Sequence, residues 1–178
     1  SQLDRLLTAV ERHFDLSRVL EYTVEAGRPD TLSPEKLRVI YDHHIPRISI
    51  NPQTMEDRVL RLAGRCHTAE DVVRAFGWAR DVGISEINMD LIAGLPGDTP
   101  ESFSDTVREV IALGAENITV HTLSRKNGSQ LKQDGKYDNS EISKMTDYSL
   151  TALSAAGYIP YYLYRQKQML GNLENVGY

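Results

Sequence analysis

The sequence is poor in the features that mark several large classes of protein. One cysteine, Cys66, stands among 178 residues, which excludes an internal disulfide and is typical of proteins in a reducing compartment. No apolar run approaches the roughly 20 residues that a membrane-spanning helix needs. The 20 lysines and arginines are interspersed among 25 acids, so no basic stripe is available for nucleic acid. We therefore expect a cytoplasmic protein without a membrane or nucleic-acid partner.

What is present is the composition and periodicity of an ordinary globular domain. Hydrophobic residues make up 40% of the chain, enough for one sizeable core. Apolar spacing of three and four residues predicts helices over 2–15, 33–44, 55–64, 68–82, 99–113 and 140–156. Between them, shorter apolar or alternating runs predict strands over 19–26, 47–51, 117–123 and 158–164, with a further strand directly after Gly83. Strands that alternate with helices in this way indicate a parallel sheet with right-handed crossovers.

The best-defined unit lies between Gly83 and Thr99. Gly83 ends one helix, and Thr99 with Pro100 caps and begins the next, so the strand between them carries Asp90 near its carboxyl end. In parallel α/β folds, ligands bind at that end of the sheet. A lone aspartate there is equally compatible with a carboxylate that anchors the backbone of the following loop.

Polar and apolar residues alternate in phase along four of the predicted strands. The polar set comprises Thr23, Glu25, Ser49, Asn51, Gln53, Asn88, Asp90, Thr119 and His121. Because successive side chains of a strand point to opposite faces, one face should pack on the helices and the other should line a shared interior. A doubly wound sheet would need nearly continuous apolar strands instead. The pattern therefore predicts a parallel β/α barrel, or part of one, around a polar ligand cavity.

Four stretches resemble the radical S-adenosylmethionine enzymes, and within them the oxygen-independent coproporphyrinogen III oxidases, also called coproporphyrinogen dehydrogenases. They are 86–103 (EINMDLIAGLPGDTPESF), 24–29 (VEAGRP), 47–54 (RISINPQT) and 161–178 (YYLYRQKQMLGNLENVGY). The stretches follow the family's order and spacing, and the resemblance as a whole covers nearly the whole chain. The resemblance implies a partial TIM-like barrel truncated at its N-terminal side. Residues 1–164 would be the C-terminal portion of the radical SAM barrel, and 165–178 the start of the segment that follows it.

The resemblance also implies a binding site for S-adenosylmethionine. The matching positions are Glu25, Gln53, Arg65, Asp90, Ile92, His121 and Ser124. The first two and Asp90 match side chains that hold the ribose and its surroundings, and Arg65 matches the partner of the methionine carboxylate. The remaining three match the wall around the adenosine. A surface position for Arg65 and a core position for His121 are the ordinary alternatives.

Two basic residues near the end of the chain are candidates for contact with a substrate. Arg165 and Lys167 follow the last predicted strand and could meet the propionates of a porphyrinogen. Solvated surface charges are the alternative. The sequence identifies no catalytic residue.

The family's three-cysteine motif, which ligates a 4Fe-4S cluster, is absent from this chain, as is the glycine-rich segment expected after the second strand of the barrel. One cysteine cannot hold such a cluster. Cys66 and His67 do not form a metal site either, because they lack partners at ligand spacing. We therefore expect a fragment, inactive alone, that supplies the S-adenosylmethionine cradle, with a degenerate protein as the alternative. The strand over 19–26 would then be an uncovered sheet edge, and self-association is expected.

The implied activity belongs to the parent enzyme, in which a reduced 4Fe-4S cluster and S-adenosylmethionine drive the oxidative decarboxylation of coproporphyrinogen III to protoporphyrinogen IX in haem biosynthesis. A reductant for the cluster is implied as a partner. A haem chaperone of the same family is one alternative. Such chaperones carry a histidine-containing HNxxYW-type segment after the barrel, whereas 161–178 has no histidine. A radical enzyme with another substrate is the second alternative.

Overall fold

A sheet flanked by helices forms the centre of the computed structural model, which describes residues 1–124, 139–164 and 175–178. The described strands are β1 (Thr23–Gly27), β2 (Arg47–Ile50), β3 (Glu86–Ala93), β4 (Asn117–Thr122), β5 (Tyr162–Tyr164) and β6 (Asn175–Gly177). The described helices are α1 (Gln2–His13), α2 (Pro34–Asp42), α3 (Asp57–Leu62), α4 (Ala69–Val82), α5 (Pro100–Leu113) and α6 (Asn139–Ala155), with a 3-10 turn at Pro29–Thr31. None of the helices in these ranges is both long and apolar enough to cross a bilayer.

Strands β1 to β4 lie side by side in chain order and run parallel, and each is joined to the next by one or two helices. This confirms the parallel α/β arrangement that the alternation of elements predicts. Beyond β4, strand β6 inserts between β4 and β5 and runs antiparallel to both. The periodicity did not predict β6, because three residues are too few to show an alternation.

Two predicted strands are longer than the observed ones. The strand expected over 19–26 begins at Thr23, the first residue that has a partner in β2, and Val19 is exposed. The strand expected over 158–164 begins only at Tyr162. Pro160 precedes it and lacks the N–H group that a sheet ladder needs. Apolar alternation thus continues beyond the point where a neighbouring strand is available to pair.

The apolar side chains of the parallel strands face the helices and form the core. Those at most 2% exposed are Ile48, Ile50, Ile87, Met89, Leu91, Ala93, Ile118 and Val120. Phe103 and Val107 of α5 are fully buried in the same core. The polar side chains of β1 to β4 occupy the opposite face, as the alternation predicts. The division into a helix-covered face and a polar face is therefore confirmed.

Capping residues fix the helices on either side of β3. Thr68 accepts a hydrogen bond from the backbone N–H of Asp71, whose carboxylate accepts one from the backbone of Thr68, which is the predicted capping box. Thr99 forms the same arrangement with Ser102 at the start of α5. Gly83 ends α4 with φ at 100°, and a Cβ atom there would lie 2.8 Å from the Tyr41 ring. These signals determine where β3 begins and where its following loop ends.

A charged clamp joins the loops that enter β3 and β4. The guanidinium of Arg80 donates to the carbonyl oxygens of Ser85 at 2.7 Å and Gly114 at 2.9 Å. It also donates to both oxygens of Glu116, at 2.7 and 2.9 Å. The second of these oxygens accepts a bond of 2.8 Å from the backbone N–H of Ile87. The clamp lies at the amino ends of the strands, so it stabilises the end of the sheet opposite the ligand-binding end.

Helix α1 is held to α2 by a pH-dependent contact. The His43 ring lies 2.6 Å from a Glu11 oxygen and 3.2 Å from an Asp4 oxygen, both on α1. The hydrogen bond with Glu11, supported by Asp4 and by the two negative charges, raises the pKa of His43 against the opposing effect of burial. Because the folded state binds the proton more tightly, this contact stabilises the fold fully below the unfolded value of about 6.5. The stabilisation is lost as the pH rises through the raised folded value.

We therefore expect amide exchange in α1 to accelerate as the pH rises above neutrality, after correction for the intrinsic dependence of exchange on pH. The His43→Gln variant should lose this dependence while it keeps a polar side chain. The measurement compares the exchange rates of the α1 amides in the two proteins across pH 6 to 9. Because both proteins contain the other histidines, the contribution of those histidines cancels in the difference. Equal pH dependence in both proteins would contradict the role of His43.

Candidate functional site

The polar face extends from the middle of the four parallel strands toward their carboxyl ends. Strand register places Glu25 opposite Ser49 and Ser49 opposite Asn88. One step further along, Asp90 lies opposite Thr119. Because equivalent positions of parallel strands share a face, these side chains form rows across the sheet rather than isolated polar groups. The rows lie where ligands bind in parallel α/β folds.

Hydrogen bonds connect the rows into one network. The amide nitrogen of Asn88 donates to an Asp90 oxygen at 2.8 Å, and the Asn88 oxygen accepts from the Thr119 hydroxyl at 3.1 Å. The other Asp90 oxygen lies 3.5 Å from Nε2 of His121. The sequence-predicted residues Asp90 and His121 are thus brought together, and Asn88 holds the carboxylate from its other side.

The two carboxylates of the polar face differ in their electrostatic surroundings. Burial raises the pKa of Asp90, but the hydrogen bond and charge of His121, with the bond from Asn88, outweigh it and hold that pKa below its usual value. Burial and the negative charge of Asp90 raise the pKa of Glu25, against hydrogen bonds from Asn51 and Ser49. Asp90 is therefore an anion at neutral pH. An interior with two carboxylates favours a ligand that brings hydroxyl groups or positive charge.

Gln53 forms an unusual link between β2 and β3. It is 8% exposed, and its φ of 69° places it in the left-handed region that residues other than glycine seldom occupy. Its N–H donates to the Asp90 carbonyl at 2.9 Å, and its carbonyl accepts from the Ile92 N–H at 2.9 Å. Such strain persists where the surroundings fix it, often at ligand sites. The sequence predicted only that Gln53 and Asp90 share the interior face, and the backbone conformation of Gln53 left no sequence signal.

Arg65 lies on the loop between α3 and α4. Its backbone N–H donates to the carbonyl of Leu60 at 2.9 Å, so the helix end fixes the position of the residue. Its side chain is half-buried and has no hydrogen bond or ion pair with any residue that the structure describes. Six of the eleven other arginines in the described chain pair with acids or carbonyl oxygens, as Arg80 does with Glu116. An unpaired guanidinium is a ready binding group for a carboxylate.

For the remaining predicted site residues, the structure gives position and burial at most. Ile92 is half-buried and shares the polar face with Asp90, two residues before it. Ser124 is half-buried and lies two residues beyond the end of β4. Arg165 and Lys167 lie outside the described residues.

One polar residue without a predicted role stands out at the end of β2. Asn51 donates from its side-chain nitrogen to Glu25 at 2.6 Å. Its Oδ1 atom is buried and has no hydrogen-bond partner in the described part of the chain. A buried oxygen without a donor is costly, and a ligand hydroxyl or amine would satisfy it. The alternation placed Asn51 on the polar face, but only the contact with Glu25 distinguishes it from its neighbours.

Comparison with known proteins identifies the family of this site. The sequence profile described as "Radical SAM superfamily" matches residues 4–110, more than half of the chain. The chain belongs to the radical SAM superfamily. This radical SAM chain therefore has the fold that its sequence predicted, an α/β arrangement with the parallel strands of a TIM-like barrel.

Two curated relatives of the radical SAM chain are named for coproporphyrinogen oxidation and for haem. It is 45% identical over 99% of its length to the oxygen-independent coproporphyrinogen-III oxidase-like protein HemZ of Bacillus subtilis, of which it covers 36%. It is 37% identical over 68% of its length to the heme chaperone HemW of the same organism, of which it covers 32%. The chain thus spans about a third of these two curated relatives.

A solved structure gives the same fold. The radical SAM chain matches coproporphyrinogen III oxidase HemN from Escherichia coli with a TM-score of 0.80 and 21% identity. The match covers 98% of this chain and 39% of that one. At this identity the likeness concerns the fold alone. It supports the assignment of β1 to β4 as barrel strands.

The family implies two cofactors, and the described residues fit one of them. The orphaned oxygen of Asn51, the two carboxylates and the unpaired Arg65 suit the hydroxyl groups, positive charge and carboxylate of S-adenosylmethionine. A 4Fe-4S cluster does not fit, because the sequence has one cysteine and that residue, Cys66, is exposed. No group of three or more potential metal ligands occurs in the part of the chain that the structure describes.

Proposed function

We propose that the polar face of this radical SAM chain binds S-adenosylmethionine in a protein that oxidatively decarboxylates coproporphyrinogen III. The observation that carries the proposal is the network of Asp90, Asn88 and His121 on the polar face of the parallel strands, in a chain 45% identical to a HemZ protein. Relatives and fold together make haem biosynthesis the best-supported setting, in the cytoplasm.

Each proposed contact follows from the chemistry of its side chain. Glu25 and Asp90 accept hydrogen bonds from the ribose hydroxyls, and Gln53 supplies a donor and an acceptor beside them. Arg65 grips the methionine carboxylate with two parallel N–H bonds. The hydrogen bond and charge of His121 oppose the effect of burial on the pKa of Asp90, which favours the charged form of this acceptor. The negative interior also favours the sulfonium charge of the ligand.

The apolar and hydroxyl groups complete the proposed site. Ile92 packs on the adenine, and Ser124 contributes to the wall beside it. S-adenosylmethionine, with a reduced 4Fe-4S cluster held outside this chain and an electron donor for it, supplies the radical chemistry. Each reacting propionate would become a vinyl group with loss of carbon dioxide, one hydrogen atom and one electron. S-adenosylmethionine would supply the acceptor for the hydrogen atom, and a one-electron acceptor outside this chain would take the electron. Arg165 and Lys167 are the candidates to neutralise substrate propionates.

A haem chaperone is the second candidate function. The 37% identity to a HemW protein favours it, since that similarity covers 68% of the chain. The absence of histidine from 161–178 disfavours it, because a neutral imidazole is a common ligand of haem iron. A different substrate for the same radical chemistry is the third possibility.

The decisive experiment assays the protein that carries this chain, with its cluster reconstituted under anaerobic conditions, both for decarboxylation of coproporphyrinogen III and for haem binding. Incubation with S-adenosylmethionine, a reductant and coproporphyrinogen III should yield protoporphyrinogen IX, measured by chromatography after oxidation to the porphyrin. The Asp90→Ala variant should yield little product. Titration with haem should give no Soret shift. Stoichiometric haem binding without decarboxylation would favour the chaperone function instead.

We also expect the isolated 178-residue chain to self-associate and to be inactive. Strand β1 pairs with β2 on one side and forms the edge of the described sheet, so its other side presents unpaired backbone groups. Light scattering should give a mass above the 20.0 kDa of one chain. A monomer with strongly protected amides throughout Thr23–Gly27 would show that this edge is already covered.

A further inference from the structure

A buried histidine contacts the residue that precedes Gln53, one of the proposed ribose contacts. His67 is 2% exposed, and its Nε2 atom lies 3.0 Å from the carbonyl oxygen of Pro52. A carbonyl can only accept, so Nε2 carries the hydrogen and donates it. The other ring nitrogen, Nδ1, is buried without a hydrogen-bond partner among the described residues. The bond to Pro52 is therefore the polar contact that orients this ring.

That bond acts on the peptide unit that enters the strained residue of the site. Pro52 has no N–H group, so its carbonyl is its one backbone hydrogen-bonding group. Gln53 follows with a φ of 69° and is tied to β3 by its own N–H and carbonyl. A residue in this region keeps its conformation only where its neighbours fix it. The hydrogen bond from His67 to the Pro52 carbonyl fixes the peptide unit that enters Gln53.

The same ring also belongs to the loop that carries Arg65. The backbone of Arg65 is fixed at one end of that loop by the Leu60 carbonyl, and Thr68 caps α4 at the other end. The His67 side chain crosses from this loop to the turn at Pro52. One hydrogen bond thus sets the spacing between the turn of Gln53 and the loop of Arg65.

We propose that His67 is a positioning residue that holds Gln53 and the Arg65 loop in the geometry for binding S-adenosylmethionine, a role that rests on the proposed function. It touches no ligand and acts through the Pro52 carbonyl. A merely structural role would lower stability without a selective effect on the affinity that depends on Gln53.

The test compares variants that keep or lose the donor at the ε position. Glutamine places an N–H donor near the position of Nε2, whereas leucine removes it and asparagine places its amide too close to the backbone to reach Pro52. In the cluster-reconstituted protein, His67→Leu and His67→Asn should bind S-adenosylmethionine about tenfold more weakly by calorimetry, the scale seen for residues that orient metal ligands. His67→Gln should stay within about twofold of the unaltered protein. The exposed His13 provides the matched control as His13→Leu, which should not change the affinity.

A double-mutant cycle separates positioning from general stabilisation. In a Gln53→Ala background, His67→Leu should weaken binding by less than it does in the unaltered protein, because one of the two side chains that His67 positions is gone. Full additivity, or unaltered affinity in both His67→Leu and His67→Asn, would overturn the proposal alone. If His67→Leu does not fold, as judged by circular dichroism, the comparison of His67→Asn with His67→Gln decides. Absence of S-adenosylmethionine binding by the unaltered protein would overturn the proposed function and this role with it.

Discussion

Replacement of Asp90 by alanine is expected to weaken S-adenosylmethionine binding by about ten- to a hundredfold in the cluster-reconstituted protein. The substitution removes the charged acceptor for a ribose hydroxyl. It also leaves the amide of Asn88 and the ring of His121 without the carboxylate that each contacts, at 2.8 Å and 3.5 Å. Unpaired buried donors cost free energy beyond the lost contact itself. Calorimetric titration of both proteins measures the difference directly.

One control variant and two further site variants accompany this measurement. Asp81→Ala removes an exposed carboxylate from α4 and should leave the affinity unchanged. Gln53→Ala should also weaken binding, and Arg65→Lys should do so because an ammonium cannot make two parallel bonds to a carboxylate. Unchanged affinity in both Asp90→Ala and Gln53→Ala would remove the polar face from consideration as the cofactor site.

The largest expected loss of stability follows from Phe103→Ala. Phe103 is fully buried in the core beneath β3 and β4, and its removal should lower the free energy of unfolding by about 3 to 5 kcal/mol. This is a large part of the 5 to 15 kcal/mol, roughly, that typical domains possess. Urea unfolding followed by circular dichroism measures it.

The matched control is the same substitution at an exposed site. Phe14 follows α1 and is 65% exposed, so Phe14→Ala should change the free energy of unfolding by no more than about 0.5 kcal/mol. Equal losses in the two variants would mean that Phe14 packs against a second copy of the chain. A small loss at Phe103 would mean that the core collapses around the cavity.

Much of this fold could be predicted because its signals are local. Thr68, Thr99 and Gly83 act on residues within four positions of themselves, and each was placed correctly by its neighbours in the sequence. The in-phase alternation of four strands is a non-local signal, yet it needs no knowledge of distances. It predicted the polar face on which Glu25 and Asp90 lie.

The features that the sequence did not predict depend on contacts between segments that are distant in the sequence. The φ of Gln53 follows from its two bonds to β3, and the orphaned oxygen of Asn51 follows from the capture of its nitrogen by Glu25. The bond from His67 to Pro52 joins residues 15 positions apart, on either side of α3. Neither periodicity nor composition records such contacts, because each depends on how the turns meet.

The clamp of Arg80 and Glu116 affects which sequence changes this fold can tolerate during evolution. It fastens the entrances of β3 and β4 with bonds to backbone carbonyls and to the Ile87 N–H, and none of these groups belongs to the opposite rim. Insertions and substitutions in the loops of that rim therefore leave the fastening intact. A barrel built in this way can exchange one substrate for another by changes at a single end, while the strands keep their alignment.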